Sequence, residues 1–189
     1  MSQQRYTLPA ILLHWAQAIV VLWLFWLGWT MTDLPKGAER TAAYGLHKSL
    51  GLLALLLVLI RLLWRRRHPA PPTLSSGWEA RLATATHHAL YAFLFLAPVA
   101  GYLASSFTPY AIKFFGIELP KTGWPDESLN SLFKLLHVVF VWSGAGLIVL
   151  HIAGGLKHAL KRDGTLQRML PGSCSKTEQL LHARAKCSD

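Results

Sequence analysis

The sequence predicts an integral membrane protein of the all-α class, a four-helix up-and-down bundle with both termini in the cytoplasm. Three observations lead there. The 189 residues are 52% hydrophobic and only 15% charged. The apolar residues gather in four long blocks instead of recurring at the period of an amphipathic helix or strand. The basic residues, finally, are divided unevenly among the segments that separate those blocks.

A helix needs about 20 apolar residues to cross a bilayer. Residues 9–31, 43–64, 82–107 and 132–159 meet that length. The first stretch is expected to be a retained span. A signal core runs about 7–15 residues and ends at a small-residue cleavage site, whereas Trp15, Trp23, Trp26 and Trp29 fill this one and Thr30-Met31-Thr32-Asp33 follows. A short external turn at 33–40 leads into the second span, which ends in Arg61 and the cluster Arg65, Arg66 and Arg67. Long arginine stems can reach back to the interface from there.

His68-Pro69-Ala70-Pro71-Pro72 then forms a stiff internal linker that cannot continue a helix. The third span carries Pro98 and Gly101 in its outer half, which predicts a kink. Residues 108–131 make the longest external loop. Its Tyr110, Phe114, Phe115, Ile117 and Trp124 suit a segment lying on the membrane surface or capping the bundle. The fourth span returns inward. The transmembrane domain is expected to occupy residues 1–171, and the polar tail, 172–189, to be disordered.

A net charge of +10 is compatible with nucleic-acid binding, but its distribution is topological. Lys36, Arg40, Lys48, Lys113, Lys121 and Lys134 fall on one side of the predicted bundle, and the other thirteen of the nineteen Lys and Arg fall on the opposite side. The positive-inside bias puts the richer side, with both termini, in the cytoplasm. No nucleic-acid motif accompanies the charge. Cys174 and Cys187 lie on that reducing side, so no disulfide is expected. The absence of Cys-x-x-Cys-His excludes covalently attached c-type haem.

The histidines carry the chemistry. Ionisable groups are costly in hydrocarbon, so those found there are functional candidates. His14 lies near the cytoplasmic end of the first span, and His47 near the external end of the second. His88 is near the cytoplasmic end of the third. The fourth carries His137 towards the outside, His151 towards the inside and His158 at its cytoplasmic mouth. His137 and His151 are two heptads apart, so they share nearly one face at a separation of roughly 21 Å. One helix thus offers imidazoles at two depths, as two stacked iron porphyrins require. Ser143, Gly144, Ala145, Gly146, Gly154 and Gly155 leave room for flat rings, although close helix packing explains these small residues equally well.

Depth suggests the axial pairs: His47 with His137 for an outer haem, and His14 with His151 for an inner one. His88 is a rival inner ligand, since the first and third helices of an up-down bundle are diagonal. Iron held by two imidazoles has no open position, which favours electron transfer over oxygen binding.

These segments resemble the bacterial cytochrome b-561 family, small four-helix dihaem proteins of the inner membrane. The resemblance rests on Leu13-His14-Trp15, on Leu46-His47-Lys48-Ser49-Leu50-Gly51, and on residues 61–72 and 88–101. It continues through His137, His151 and His158 to Asp163-Gly164-Thr165-Leu166 and Arg168-Met169-Leu170-Pro171. It covers roughly residues 6–171. It implies a transmembrane electron path through two b-type haems held by His14, His47, His137 and His151. It further implies oxidation of periplasmic superoxide to oxygen and reduction of ubiquinone, with His158 as the quinone-binding residue. An anionic substrate is captured faster at a positive entrance. Lys48 and Lys134, beside His47 and His137, are the candidates, although Asp33, Glu39, Glu118, Asp126 and Glu127 share that side.

Two other functions compete with this one. A cytochrome b anchor subunit would pass electrons between quinone and a partner dehydrogenase or hydrogenase, and it predicts an extended docking surface. A transporter would use helices broken at the midplane.

Overall fold

The computed structural model describes residues 5–72 and 76–170, so the tail with Cys174 and Cys187 lies outside the described residues. Four helices run alternately up and down: α1 (Leu8–Thr30), α2 (Ala38–Arg67), α3 (Gly77–Ser106) and α4 (Glu127–Lys161). Each is long and apolar enough to cross a membrane. A two-stranded hairpin, β1 (Ile112–Phe114) and β2 (Ile117–Leu119), connects α3 to α4, and a short 3-10 helix (Leu166–Met169) follows α4. One end of the bundle therefore holds the described start and finish of the chain, and the other holds the hairpin.

The helix limits follow local chemistry rather than the edges of the apolar blocks. Pro9 sits in the first turn of α1, where its missing N–H costs nothing. The basic last turn of α2 (Arg65, Arg66, Arg67) complements the helix dipole before Pro69 prevents continuation. Asp126 caps α4 by accepting the Leu129 N–H at 2.9 Å. At 35 residues, α4 spans about 52 Å, well beyond the hydrocarbon thickness.

The long connection expected at 108–131 is consequently shorter. The Asp126 cap starts α4 at Glu127, and a turn with Phe115 and Gly116 both at positive φ folds the preceding residues into the hairpin. The register pairs Ile112 with Leu119 and Phe114 with Ile117. α3 runs through Pro98 as one helix.

α3 packs most extensively on α4, α1 packs on α2, and α2 on α3; the side between α1 and α4 has no comparable packing. The central core joins Val21 and Phe25 of α1 to Phe93 and Ala97 of α3 and to Phe140, Val141 and Ile148 of α4. Gly144 allows the tightest approach. A Cβ there would stand 2.3 Å from the Phe93 ring, so helix packing accounts for this glycine. Trp15, Trp23, Trp26, Trp29 and Trp142 are exposed, as side chains facing lipid are.

Hydrogen bonds tie the terminal end together. The Arg5 guanidinium donates to the Leu170 carbonyl at 3.0 Å, and the Trp15 indole donates to the Met169 carbonyl at 2.9 Å. Buried Arg168 donates to the Pro72 carbonyl at 2.9 Å. The 3-10 helix thus closes the bundle beneath His14. At the opposite end, the buried Ser49 of α2 anchors the hairpin by accepting the Phe115 N–H at 3.0 Å.

Candidate haem sites and terminal groove

α4 carries His137 and His151 at two levels, and the fold brings one partner to each. At the hairpin level, His47 of α2 faces His137 across the bundle diagonal, with ring centroids 6.2 Å apart and planes at 83°. At the terminal level, His14 of α1 faces His151 across the loosely packed side, at 6.1 Å and 69°. Two imidazoles bonded at about 2 Å on opposite faces of one metal ion have centroids about 6 Å apart. Both levels meet that requirement.

The polar atoms of these rings support the fit. His137 donates from Nδ1 to the Ala97 carbonyl at 2.8 Å. A carbonyl only accepts, so Nδ1 carries the proton and Nε2 is left as the ligating nitrogen, the arrangement by which an outer partner fixes a metal-binding imidazole. Nδ1 of His14 and Nδ1 of His47 are buried and meet no hydrogen-bond partner among the described residues. Buried nitrogens without partners are costly, so these two rings are held in the bundle by something other than hydrogen bonds from Nδ1, as axial ligands to an iron porphyrin would be.

Glycines make room for the hairpin-level rings. A Cβ on Gly101 would lie 3.1 Å from His137 Nδ1, and one on Gly28 would lie 3.2 Å from His47 Cε1. Gly154 and Gly155 face open space instead. No group of three or more His, Cys, Asp and Glu side chains suited to a bare metal ion occurs among the described residues.

A third imidazole stands at the terminal level. His87 of α3 lies 5.4 Å from His151 at 68°. The α3 rival named from the sequence was His88, but the ring beside His151 belongs to its neighbour His87. Consecutive residues on a helix point about 100° apart, so only one of the two can face α4. The doublet His87-His88 was visible in the sequence; the rotation of α3 that selects between them was not.

Lys48 is half-buried and within electrostatic range of Lys121 on the loop after the hairpin. Lys121 donates to the Thr108 carbonyl, which holds it near the hairpin. Lys134 is exposed on α4. Lys121 was not singled out from the sequence, because the loop that carries it has no fixed relation to α2 until the hairpin docks.

At the terminal end, His158 lines an open groove of about 530 Å³ together with Ser76, Gly77, Trp78, Glu79, Lys161 and Asp163. His158 Nδ1 and Asp163 Oδ2 are 2.5 Å apart. Burial pushes the Asp163 carboxyl upwards, but hydrogen bonds from His158 and Thr165 outweigh it and hold the group down at about 2. Across the groove, Lys157 pairs with Glu79 at 2.9 Å and lies over the Trp78 ring at 5.5 Å. The groove combines an aromatic wall, an imidazole and a carboxylate, and its volume lies within the range of small-molecule sites.

The profile of the prokaryotic cytochrome b561 family matches residues 5–172. The chain is 37% identical over 179 residues to cytochrome b561 homolog 2 of Escherichia coli (strain K12), covering 92% of this chain and 95% of that protein. It is 27% identical over 174 residues to the probable superoxide oxidase CybB of Yersinia pestis, covering 89% of this chain and 97% of that protein.

Proposed function

The chain belongs to the prokaryotic cytochrome b561 family, and from that premise we propose that it oxidises superoxide at the periplasmic face and reduces ubiquinone at the cytoplasmic face, through two haems. Membership makes it a cytochrome b, a haem-binding, multi-pass protein of the bacterial inner membrane that carries electrons across the bilayer. The finer reading rests on one observation above the rest: two imidazole pairs, at 6.1 and 6.2 Å, stacked at two depths of one bundle. The relative described as a probable superoxide oxidase supports the choice of substrate.

We assign His47 and His137 to the outer haem, His14 and His151 to the inner haem, and the hairpin end to the periplasm. The positive-inside bias orients the chain in this way. Iron porphyrins held by these four histidines would supply the one-electron carriers. The protein's own groups do the rest. Lys48, Lys121 and Lys134 raise the local concentration of an anion at the hairpin end. The aromatic core around Phe93 keeps water from the space between the two levels.

At the cytoplasmic groove, His158 presents an imidazole to the quinone and Asp163 fixes the orientation of its ring. Two superoxide anions each lose one electron and leave as oxygen. One quinone takes both electrons and two protons and leaves as quinol, and His158 passes the protons. The transmembrane domain of residues 1–171 suffices for this path.

Rapid mixing of oxidised protein with superoxide, with and without ubiquinone, tests the reading. Haem reduction within the mixing time, followed by reoxidation only when quinone is present, is the expected result. Haems that superoxide leaves oxidised would refute the substrate assignment. A His158→Ala variant with normal haem content is expected to lose quinone reoxidation and keep superoxide-driven reduction. Unchanged quinone kinetics would remove His158 from the site.

A further inference from the structure

The last third of α2 carries Arg61 and Arg65, one helical turn apart and therefore on one face. Both guanidiniums lie over the ring of Tyr91 on α3, at 5.3 and 5.7 Å from its centroid. Arg65 Nη1 also reaches the Tyr91 hydroxyl at 3.5 Å. Arg61 is within electrostatic range of His14, His87 and His151. The arginines thus stand between α2 and α3 beside the terminal-level imidazoles, with Arg61 about 9 Å inside the helix end.

An arginine at this depth calls for an anion. The ion pairs recorded among the described residues are Lys157–Glu79, Lys161–Glu79 and His158–Asp163, and none includes Arg61 or Arg65. Tyr91 offers a cation–π contact, which does not neutralise the charge of the half-buried Arg61. Arg61 is half-buried and Arg65 exposed, so a negative ligand on this face would relieve the charge of Arg61 most, with Arg65 completing the site from the solvent side. The group expected at this level is itself an anion: the carboxylates of an iron porphyrin are its charged substituents, and they are as costly to leave unpaired in hydrocarbon as the arginines are. Arginine is also the side chain best matched to a carboxylate, through two parallel N–H donors.

We propose that Arg61 and Arg65 form the anion subsite that receives the carboxylates of the haem held between His14 and His151. The assignment rests on the reading that this level holds a haem. Tyr91 is the positioning residue that keeps the two guanidiniums together.

Haem-free full-length protein, titrated in detergent with protohaem and with its dimethyl ester, tests the subsite, because the ester carries no carboxylate. Arg61→Gln is expected to weaken one of the two protohaem-binding steps by about tenfold or more and to leave ester binding as in the unaltered protein. Arg61→Lys, which keeps the charge, is expected to recover part of the loss. Added to His14→Ala, which already lacks the terminal-level haem, Arg61→Gln is expected to cost no further haem. Equal weakening for haem and ester would make Arg61 a packing residue and overturn the subsite, as would no weakening at all. A loss that disappears when anionic lipid is withdrawn would assign the arginines to a lipid phosphate and overturn it too. A wild-type chain that loads only the His47–His137 level overturns the haem reading and the subsite together, whereas failure of the subsite alone leaves two haems bound.

Discussion

The ring of His87 lies 5.4 Å from that of His151, nearer than the ring of His14, which is 6.1 Å away. Three imidazoles meet at a level where the proposed haem would take two axial ligands. The His14–His151 separation is that of rings on opposite faces of a metal, about 6 Å. His87 approaches from α3, which already packs closely on α4, while the space on the His14 side is open. His14→Ala and His151→Ala should each reduce haem content from two to one per chain, measured as haem-to-protein ratio. His87→Ala and His88→Ala should keep both. A His87 variant that loses a haem while a His14 variant keeps both would reassign the pair.

Gly101 and the Ala97 carbonyl together hold His137. A Cβ at residue 101 would stand 3.1 Å from His137 Nδ1, the atom that donates to Ala97. Gly101→Ala should therefore tilt the ring and weaken that outer hydrogen bond. Losing such a partner typically costs about tenfold or more in metal affinity. Titration with haem should show one weakened step and one unchanged step, with the unchanged step assigned to His14 and His151 by its loss in the His14 variant.

Packing of α3 on α4 depends on Gly144, whose Cβ would fall 2.3 Å from the ring of Phe93. Phe93 is buried and central, so the ring has little room to retreat. Gly144→Ala should destabilise the bundle by about 1–3 kcal/mol, the usual cost of overpacking. Thermal unfolding in detergent, followed by loss of helical signal, gives the measurement. No change in unfolding temperature would show that α3 and α4 can separate at no cost.

The hairpin is held on α2 by Ser49, which accepts the Phe115 N–H at 3.0 Å. Ser49→Ala removes that acceptor and should cost about 1 kcal/mol locally. Amide hydrogen exchange of residues 112–119 should then accelerate several-fold while α2 remains protected. Equal protection in the variant would mean that the remaining contacts, the buried Ile112 among them, hold the hairpin down.

Asp163 gives a pH dependence of defined sign. Its carboxyl is held at about 2 against an ordinary value of 3.8, chiefly through His158 and Thr165 once the opposing effect of burial is overcome. A carboxylate depressed in the folded state stabilises the fold above its unfolded value, and that contribution is lost as pH falls towards the folded value. The stability difference between wild type and Asp163→Asn should be constant above about pH 5 and shrink towards zero near pH 2. Unfolding curves measured across that range decide it; a difference that grows on acidification would contradict the assignment.

Much of this protein is determined locally and was readable from sequence. Apolar blocks of spanning length specify helices in lipid because every backbone polar group there must be satisfied within its own segment. The two-heptad spacing of His137 and His151 places two imidazoles on one face of α4 whatever surrounds it. Signals of this kind depend on composition and on the helical period, and both are properties of the chain itself.

The tertiary structure decided what depends on how one element is turned against another. Gly144 and Phe93 set the approach of α3 to α4, and the rotation of α3 turns His87 rather than His88 towards His151. Docking of the hairpin on Ser49 brought Lys121 towards Lys48. The 3-10 helix returned to Arg5, Trp15 and Pro72 from the far end of the chain. None of these relationships has a period or a motif, since each arises from contacts between residues distant in sequence, and a rotation of one helix by a single residue would replace one partner with another.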